Sequence, residues 1–314
     1  MRAVSFLLLV PIAAAGIATL IPHKPDILPP GRFVVVDGAR LHLWCIGQGT
    51  PTVVLEPGLG RTSLSWSWLQ PMLAKSTRVC SYDRPGLGWS EPLDTPRDGR
   101  NQARTLHKLL DAAGEHGPFV LVGHSLGGAY ARLYRDQFRD EVQALVLLDS
   151  VQSGQCERLP GAVGIIRETT ERLAVGRQTA RIHLAGLLVP VPQSLYELPD
   201  PVHPAVETFL SSPVHLEAMQ KEAEEWFETM SQLDRTRSIR KVPLLVLSSD
   251  VSGGPVRREW MPYWREMQKD LGMLSDQSEV KVVPGASHET MITNQAHARW
   301  VAEVLMDWLC AVSM

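Results

Sequence analysis

Gly123-His124-Ser125-Leu126-Gly127 places a serine between two glycines, with an almost wholly apolar run (Phe119 to Val122) before it and a helix-compatible stretch from Ala129 after it. A serine on a sharp strand-to-helix turn adopts backbone angles that crowd its neighbours, so both flanking positions favour glycine. Such a turn lifts the Ser125 hydroxyl clear of the chain. It also leaves the Leu126 N–H at the start of a helix, where it can stabilise a developing oxyanion. A bare G-x-S-x-G arises by chance, and here the apolar run and the helix around it give the match its weight. A serine alkoxide is not available at neutral pH, so a base must stand nearby. Among ten histidines, His288 lies in the Pro284-to-Glu289 loop after the last strand-like run. That is where the chain order nucleophile, acid, histidine puts the base. His124 adjoins Ser125, but its side chain is expected to point away across the turn and to pack.

Eight short runs can position these groups: Phe33–Val36, Leu41–Trp44, Thr52–Leu55, Thr77–Tyr82, Phe119–Val122, Ala144–Leu148, Pro243–Leu247 and Val280–Val283. Asp37-Gly38 between the first two is a hairpin signal. The fifth and sixth runs are apolar throughout, as strands buried on both faces are. Gln102–Ala113 and Ala129–Phe138 have helical length and periodicity. Strands alternating with helices predict an α/β fold with a mostly parallel sheet. Only the segment from Val151 to Arg240 breaks the alternation. It contains helical stretches such as Val206–Met230, and reads as a helical cap inserted between strands six and seven. Met219, Trp226, Phe227 and Met230 have the spacing of one apolar helix face, expected to pack on the main domain.

The chain resembles the α/β-hydrolase superfamily, in its serine esterase and lipase-like branch, from about residue 32 to the C-terminus. The nucleophile turn and His288 carry the likeness, together with Ser81-Tyr82-Asp83-Arg84-Pro85-Gly86-Leu87-Gly88-Trp89-Ser90, which is similar to the family's D-R-x-G-x-G-x-S loop after the fourth strand. Glu56-Pro57-Gly58-Leu59-Gly60 occupies the place of the family's H-G-x-G turn, with Pro57 instead of histidine. The resemblance implies that Leu59 supplies the second oxyanion N–H beside Leu126. It also implies an acid, either Asp149 at the end of the sixth strand or Asp250 after the seventh. Asp149 needs no shift in register and is preferred, with Asp250 as the alternative. Asp83 and Arg84 are expected to brace their own loop. Members with a carboxylate nucleophile share the fold, but Ser125 stands at that position here and excludes their chemistry.

The expected architecture is therefore an eight-stranded α/β-hydrolase core over residues 31–150 and 241–314, with a helical cap over 151–240. Its expected activity is hydrolysis of a carboxylic ester or related acyl bond through an acyl-enzyme. C–C bond hydrolysis or acyl transfer by the same triad is the nearer alternative, and a non-catalytic binding protein the further one. Trp66, Trp68 and Trp89 fall in loops at the carboxyl edge of the sheet and could line an aromatic pocket.

The 314 residues carry 31 Lys plus Arg against 34 Asp plus Glu, and 44% are hydrophobic, which argues for a folded globular chain rather than a disordered one. A net charge of −3 gives no electrostatic reason for a nucleic-acid partner. No metal-ligand spacing and no dinucleotide or phosphate-binding loop is present, so no cofactor and no metal are expected. The expected partner is a small acyl substrate. From Ala3 to Ile21 there is no charged residue. Residues 1–30 therefore read as a signal peptide or membrane anchor plus linker, which implies an extracytoplasmic location. Cys45 and Cys80 lie in apolar runs, where buried thiols are the simpler reading, while an extracytoplasmic location would permit one disulfide among Cys45, Cys80, Cys156 and Cys310 without choosing its pairing.

Overall fold

A computed structural model describes residues 28–182, 191–236 and 238–312. The leader-like segment of residues 3–21 lies outside them. Among the described residues no helix is long and apolar enough to cross a membrane.

Eight strands form one sheet in the order β1-β2-β4-β3-β5-β6-β7-β8. They are β1 (Arg32–Val36), β2 (Ala39–Ile46), β3 (Thr52–Glu56), β4 (Val79–Tyr82), β5 (Phe119–His124), β6 (Val142–Leu148), β7 (Leu244–Ser249) and β8 (Ser278–Val283). β1 and β2 are antiparallel, and β2 runs antiparallel to β4. All remaining pairings are parallel. The β1–β2 turn has positive φ at both Asp37 and Gly38, the geometry a two-residue hairpin needs.

Because successive strand side chains alternate, the apolar runs serve two cores at once. Leu121, Leu145, Leu147 and Val246 face one layer, against α2 (Gly99–Ala113), α3 (Leu126–Gln137) and α9 (Met261–Gly272). Val120, Val122, Val146 and Leu247 face the other, against α1 (Leu69–Leu73), α10 (Thr290–Thr293) and α11 (Gln295–Val312). Helix α2 starts where Asp98 accepts hydrogen bonds from the Arg100 and Asn101 N–H groups, and stops at Gly114 with φ 74°.

Between β6 and β7 the chain forms α4 (Gln155–Arg158), α5 (Ala162–Arg181), α6 (His203–Leu210), α7 (Pro213–Glu224) and α8 (Trp226–Asp234). The stretch expected as one helix over Val206–Met230 is three. Ser212 caps a new start with Pro213 at its first position, and the chain breaks again at Glu225. Met219 and Trp226 therefore lie on different helices, and Phe227 is 43% exposed rather than packed.

Cys45 and Cys80 are directly opposed across β2 and β4 and form a disulfide, which corrects the reading of two buried thiols. Cys156 and Cys310 are free.

Candidate active site

Ser125 sits between the last residue of β5 and the first of α3 with φ 56° and ψ −124°, a conformation a side chain adopts at a cost of about 1–3 kcal/mol. The turn is held by hydrogen bonds that over-determine it. The Ser125 N–H donates to Leu148 O (3.0 Å), and its carbonyl accepts from Gly128 N (3.0 Å) and Val151 N (3.2 Å). The glycines make room for this packing. A Cβ on Gly127 would lie 2.2 Å from Glu56 O, and one on Gly128 would lie 2.0 Å from the Ser150 hydroxyl. Gly127→Ala is therefore expected to destabilise the fold by about 3 kcal/mol, because rigid backbone is what it would meet. Gly164→Ala, on open α5 surface with nothing within 4 Å, is expected to be neutral or stabilising. Urea denaturation of the two variants checks the contrast.

His288 follows β8 in a loop that the end of β7 supports. Asp250 and Val251 donate their N–H groups to Ala286 O, and the Asp250 carboxylate accepts from Gly285 N at 3.0 Å. His288 Nδ1 lies 2.7 Å from Asp149 Oδ2. The other oxygen, Asp149 Oδ1, accepts from Ser249 N and from the Trp264 indole, both at 2.8 Å. Burial pushes the Asp149 carboxyl up, but the hydrogen bond and charge of His288, with those two donors, outweigh it and hold it below its ordinary value. Since a carboxylate can only accept, Nδ1 carries the proton of this hydrogen bond, and in the neutral imidazole the lone pair then falls on Nε2. Of the two candidate acids, Asp149 is brought to His288. Asp250 instead braces the loop that carries the histidine.

His124 does not point away from the site. Its Nε2 donates to the His288 carbonyl at 2.7 Å, and the two rings lie 4.7 Å apart. Burial, and next the His288 charge, press its pKa to about 3, so it stays neutral. The physical reason is the tight elbow, which turns the last residue of β5 toward the loop after β8.

Leu126 N–H opens α3, and Leu59 N–H lies in the turn after β3. Among the described residues neither N–H has a protein acceptor. Arg84 does not brace its own loop alone. Its guanidinium donates to Pro57 O and Gly58 O, both at 2.7 Å, and pairs with Glu56 and Glu222. Asp83 does brace the loop: its carboxylate accepts from Ser63 N (2.7 Å) and Trp89 N (3.1 Å) and lies 3.0 Å from His42.

Ser125 and His288 line one cavity of about 600 Å³. Most of its wall is apolar. α5 contributes Ile165, Ile166 and Thr169 from one face, α7 contributes Met219, and Trp226, Trp260 and Trp264 are the aromatics. The tryptophans expected there are elsewhere. Trp66 is fully buried in the core on the α1 side of the sheet, while Trp68 and Trp89 pack against the cluster of Leu64 and Phe209. Several residues at the site carried no readable signal in the sequence. Glu289 pairs with Arg61 and accepts the Ser194 hydroxyl, joining the histidine loop, the turn after β3 and the cap region. Glu222 and Trp264 are likewise indistinguishable in sequence from ordinary helix residues.

Residues 53–304 match the model of a family described as Alpha/beta hydrolase family. Among curated proteins, the chain is 30% identical over 151 residues to an uncharacterized protein of Schizosaccharomyces pombe, covering 38% of this chain and 28% of that one. It is 37% identical over 132 residues to the polyketide synthase ThaQ of Burkholderia thailandensis, covering 40% of this chain and 6% of the other. The matched stretch thus spans well under half of these relatives' length. Among solved structures, a thermophilic esterase from Thermogutta terrifontis superposes with a TM-score of 0.65 at 21% identity, over 90% of this chain and 98% of that one. A serine hydrolase involved in carbazole degradation gives a TM-score of 0.63 at 21% identity, over 89% and 98%. The epoxide hydrolase CorEH gives 0.68 at 18%, over 90% and 98%. At these identities the solved structures speak for the fold alone.

Proposed function

We propose that this chain, which belongs to the alpha/beta hydrolase family, is a serine hydrolase that cleaves a carboxylic ester through an acyl-enzyme. The observation that carries the reading is the Asp149–His288 hydrogen bond at the wall of the cavity that Ser125 also lines. Ser125 Oγ attacks the ester carbonyl while His288 Nε2 takes its proton. Leu59 N–H and Leu126 N–H bind the oxyanion, a contribution worth about 3 kcal/mol per donor. Collapse of the tetrahedral adduct expels the alcohol, which receives the proton from His288. Water, deprotonated by the same nitrogen, then attacks the acyl-enzyme and releases the acid. Asp149 holds the imidazole tautomer and stabilises the imidazolium in both halves.

The segment 151–240 acts as the cap and sets the substrate. A mostly apolar cavity of about 600 Å³ suits a medium-sized lipophilic acyl or alcohol group. Residues 3–21 are read as an export signal or anchor, through which the protein could associate with a membrane. The Cys45–Cys80 disulfide favours the same extracytoplasmic placement, since such bonds persist in oxidising compartments.

The test is a fluorophosphonate probe on the purified protein, followed by p-nitrophenyl esters of graded chain length and a ring-cleavage diketone. Labelling on the peptide that contains Ser125, with ester turnover greatest at intermediate chain length, is expected. Preferential turnover of the diketone would replace ester hydrolysis by C–C hydrolysis. A folded protein that neither labels nor turns over either substrate would be a binding protein on this fold.

A further inference from the structure

We infer that the cap helix α7 completes the oxyanion turn: Glu222 and Arg84 are positioning residues that fix the peptide planes on either side of Leu59. The inference rests on the assignment of Ser125 and the Leu59 N–H proposed above.

Leu59 N–H shares one planar trans peptide with the Gly58 carbonyl, so N–H and C=O point in opposite directions. Whatever fixes the Gly58 oxygen therefore aims the Leu59 hydrogen. Arg84 Nη2 donates to Gly58 O at 2.7 Å, on the side of the peptide away from the hydrogen. The next peptide is held as well, because Gly60 N donates to Glu222 Oε2 at 2.9 Å. Gly60 has φ 63°, a conformation that suits glycine at the corner of this turn.

Arg84 uses all five of its N–H donors. Nη1 goes to Glu56 Oε1 (2.8 Å) and Pro57 O (2.7 Å), and Nη2 to Gly58 O and Glu222 Oε2 (3.0 Å). Nε goes to Glu222 Oε1 at 2.6 Å. A planar fork with every donor committed has one orientation, which a lysine ammonium could not reproduce. Arg84 is fully buried, and Glu222 and Glu56 are 1% and 2% exposed. Buried ion pairs of this kind add little net stability over apolar residues of similar size. Orientation of the turn accounts for the network better than stability does. A guanidinium on the Gly58 oxygen also polarises that peptide and makes Leu59 N–H a stronger donor.

The position occupied in related chains by the histidine of H-G-x-G is Pro57 here. Its ring donates nothing, so the bracing comes from Arg84 on the β4 loop and from a cap glutamate. Seating of the cap and assembly of the oxyanion site are then one event. Displacing α7 would cost catalysis even where the substrate remained bound.

Glu222→Gln keeps the shape and removes the charge. Its kcat for an ester is expected to fall about 10- to 100-fold with KM nearly unchanged, because the lost interaction acts on the transition state. Affinity for an alkyl boronic acid, whose tetrahedral adduct on serine places an oxygen in the oxyanion site, is expected to fall in parallel. Glu217→Gln, on the same helix but paired with Lys221 and Arg177 rather than with the turn after β3, should retain kcat and boronate affinity. Should the glutamine variant be too unstable to assay, Glu222→Asp draws the carboxylate back by one methylene and should give the same split. Unchanged kcat and boronate affinity in either variant overturns the inference, as does a loss confined to KM. Failure of the unmutated protein to label at Ser125 would instead remove the functional assignment on which the inference rests.

Discussion

Asp149→Asn is expected to lower kcat about 10⁴-fold without unfolding the protein, whereas Asp250→Asn is expected to change it by less than about tenfold. Asp149 uses its two oxygens for different tasks: Oδ1 receives Ser249 N–H and the Trp264 indole, and Oδ2 faces His288 Nδ1. An asparagine can satisfy the two donors only by placing its oxygen toward them. Its NH2 then faces His288 and donates to Nδ1, which forces the proton onto Nε2. In that tautomer Nε2 cannot accept the Ser125 proton. Asp250 meets a different demand. Its side chain is 43% exposed, accepts Gly285 N–H and lies 3.8 Å from Arg265. An asparagine there still accepts from Gly285, so the loop keeps its shape. Steady-state turnover of one p-nitrophenyl ester by both variants checks the pair. A loss of orders of magnitude confined to Asp250→Asn would reverse the assignment of the acid.

The central strands β3, β5, β6 and β7 were legible because a parallel sheet covered on both faces demands apolar residues at nearly every position, and such runs stand out without periodicity. The nucleophile turn was legible because its glycines are forced by backbone contacts within angstroms of the chain itself. The rest depended on packing between distant segments. Val206–Met230 reads as one helix until Ser212-Pro213 is recognised as a cap and a new start. The identity of the acid depends on which strand end the β8 loop folds over, and counting residues in a loop does not give that. Cross-strand register placed Cys45 opposite Cys80, and register is a property of the sheet rather than of either run. Glu222 is the extreme case. On an amphipathic helix a glutamate reads as a solvated residue, and only docking of α7 on the turn after β3 buries it against Arg84.

Those tertiary contacts have a common direction. In the proposed mechanism the nucleophile and the acid follow directly on β5 and β6, and the histidine lies in the loop after β8 that Asp250 and Val251 hold. On the same reading, oxyanion geometry and substrate shape come from a turn and a cap segment that lean on one another. Substrate range can therefore drift with the cap while the proton-transfer machinery stays put, but cap changes near Glu222 would carry a catalytic penalty that changes at Ile165 or Ile166 would not.

Ser125→Ala is expected to abolish fluorophosphonate labelling and to lower kcat by about 10⁴- to 10⁶-fold, with His288→Ala close behind and the double variant little worse than either alone. The non-additivity follows from the mechanism. Without the hydroxyl there is nothing for His288 to deprotonate, and without the imidazole the hydroxyl is a neutral alcohol of poor nucleophilicity. What remains in the serine variant is the cavity, the Leu59 and Leu126 N–H groups and the charge of Asp149, none of which depends on Oγ. Its folding is expected to be nearly unaffected, since alanine removes one oxygen. The positive φ at 125 is unchanged, and the hydrogen bonds to Leu148, Gly128 and Val151 that hold it are made by the backbone. Mass spectrometry of labelled peptide and single-turnover kinetics check the outcome. Labelling that persists at another residue of the alanine variant, or a double variant whose losses multiply, would mean that Ser125 and His288 act independently and that the nucleophile lies elsewhere.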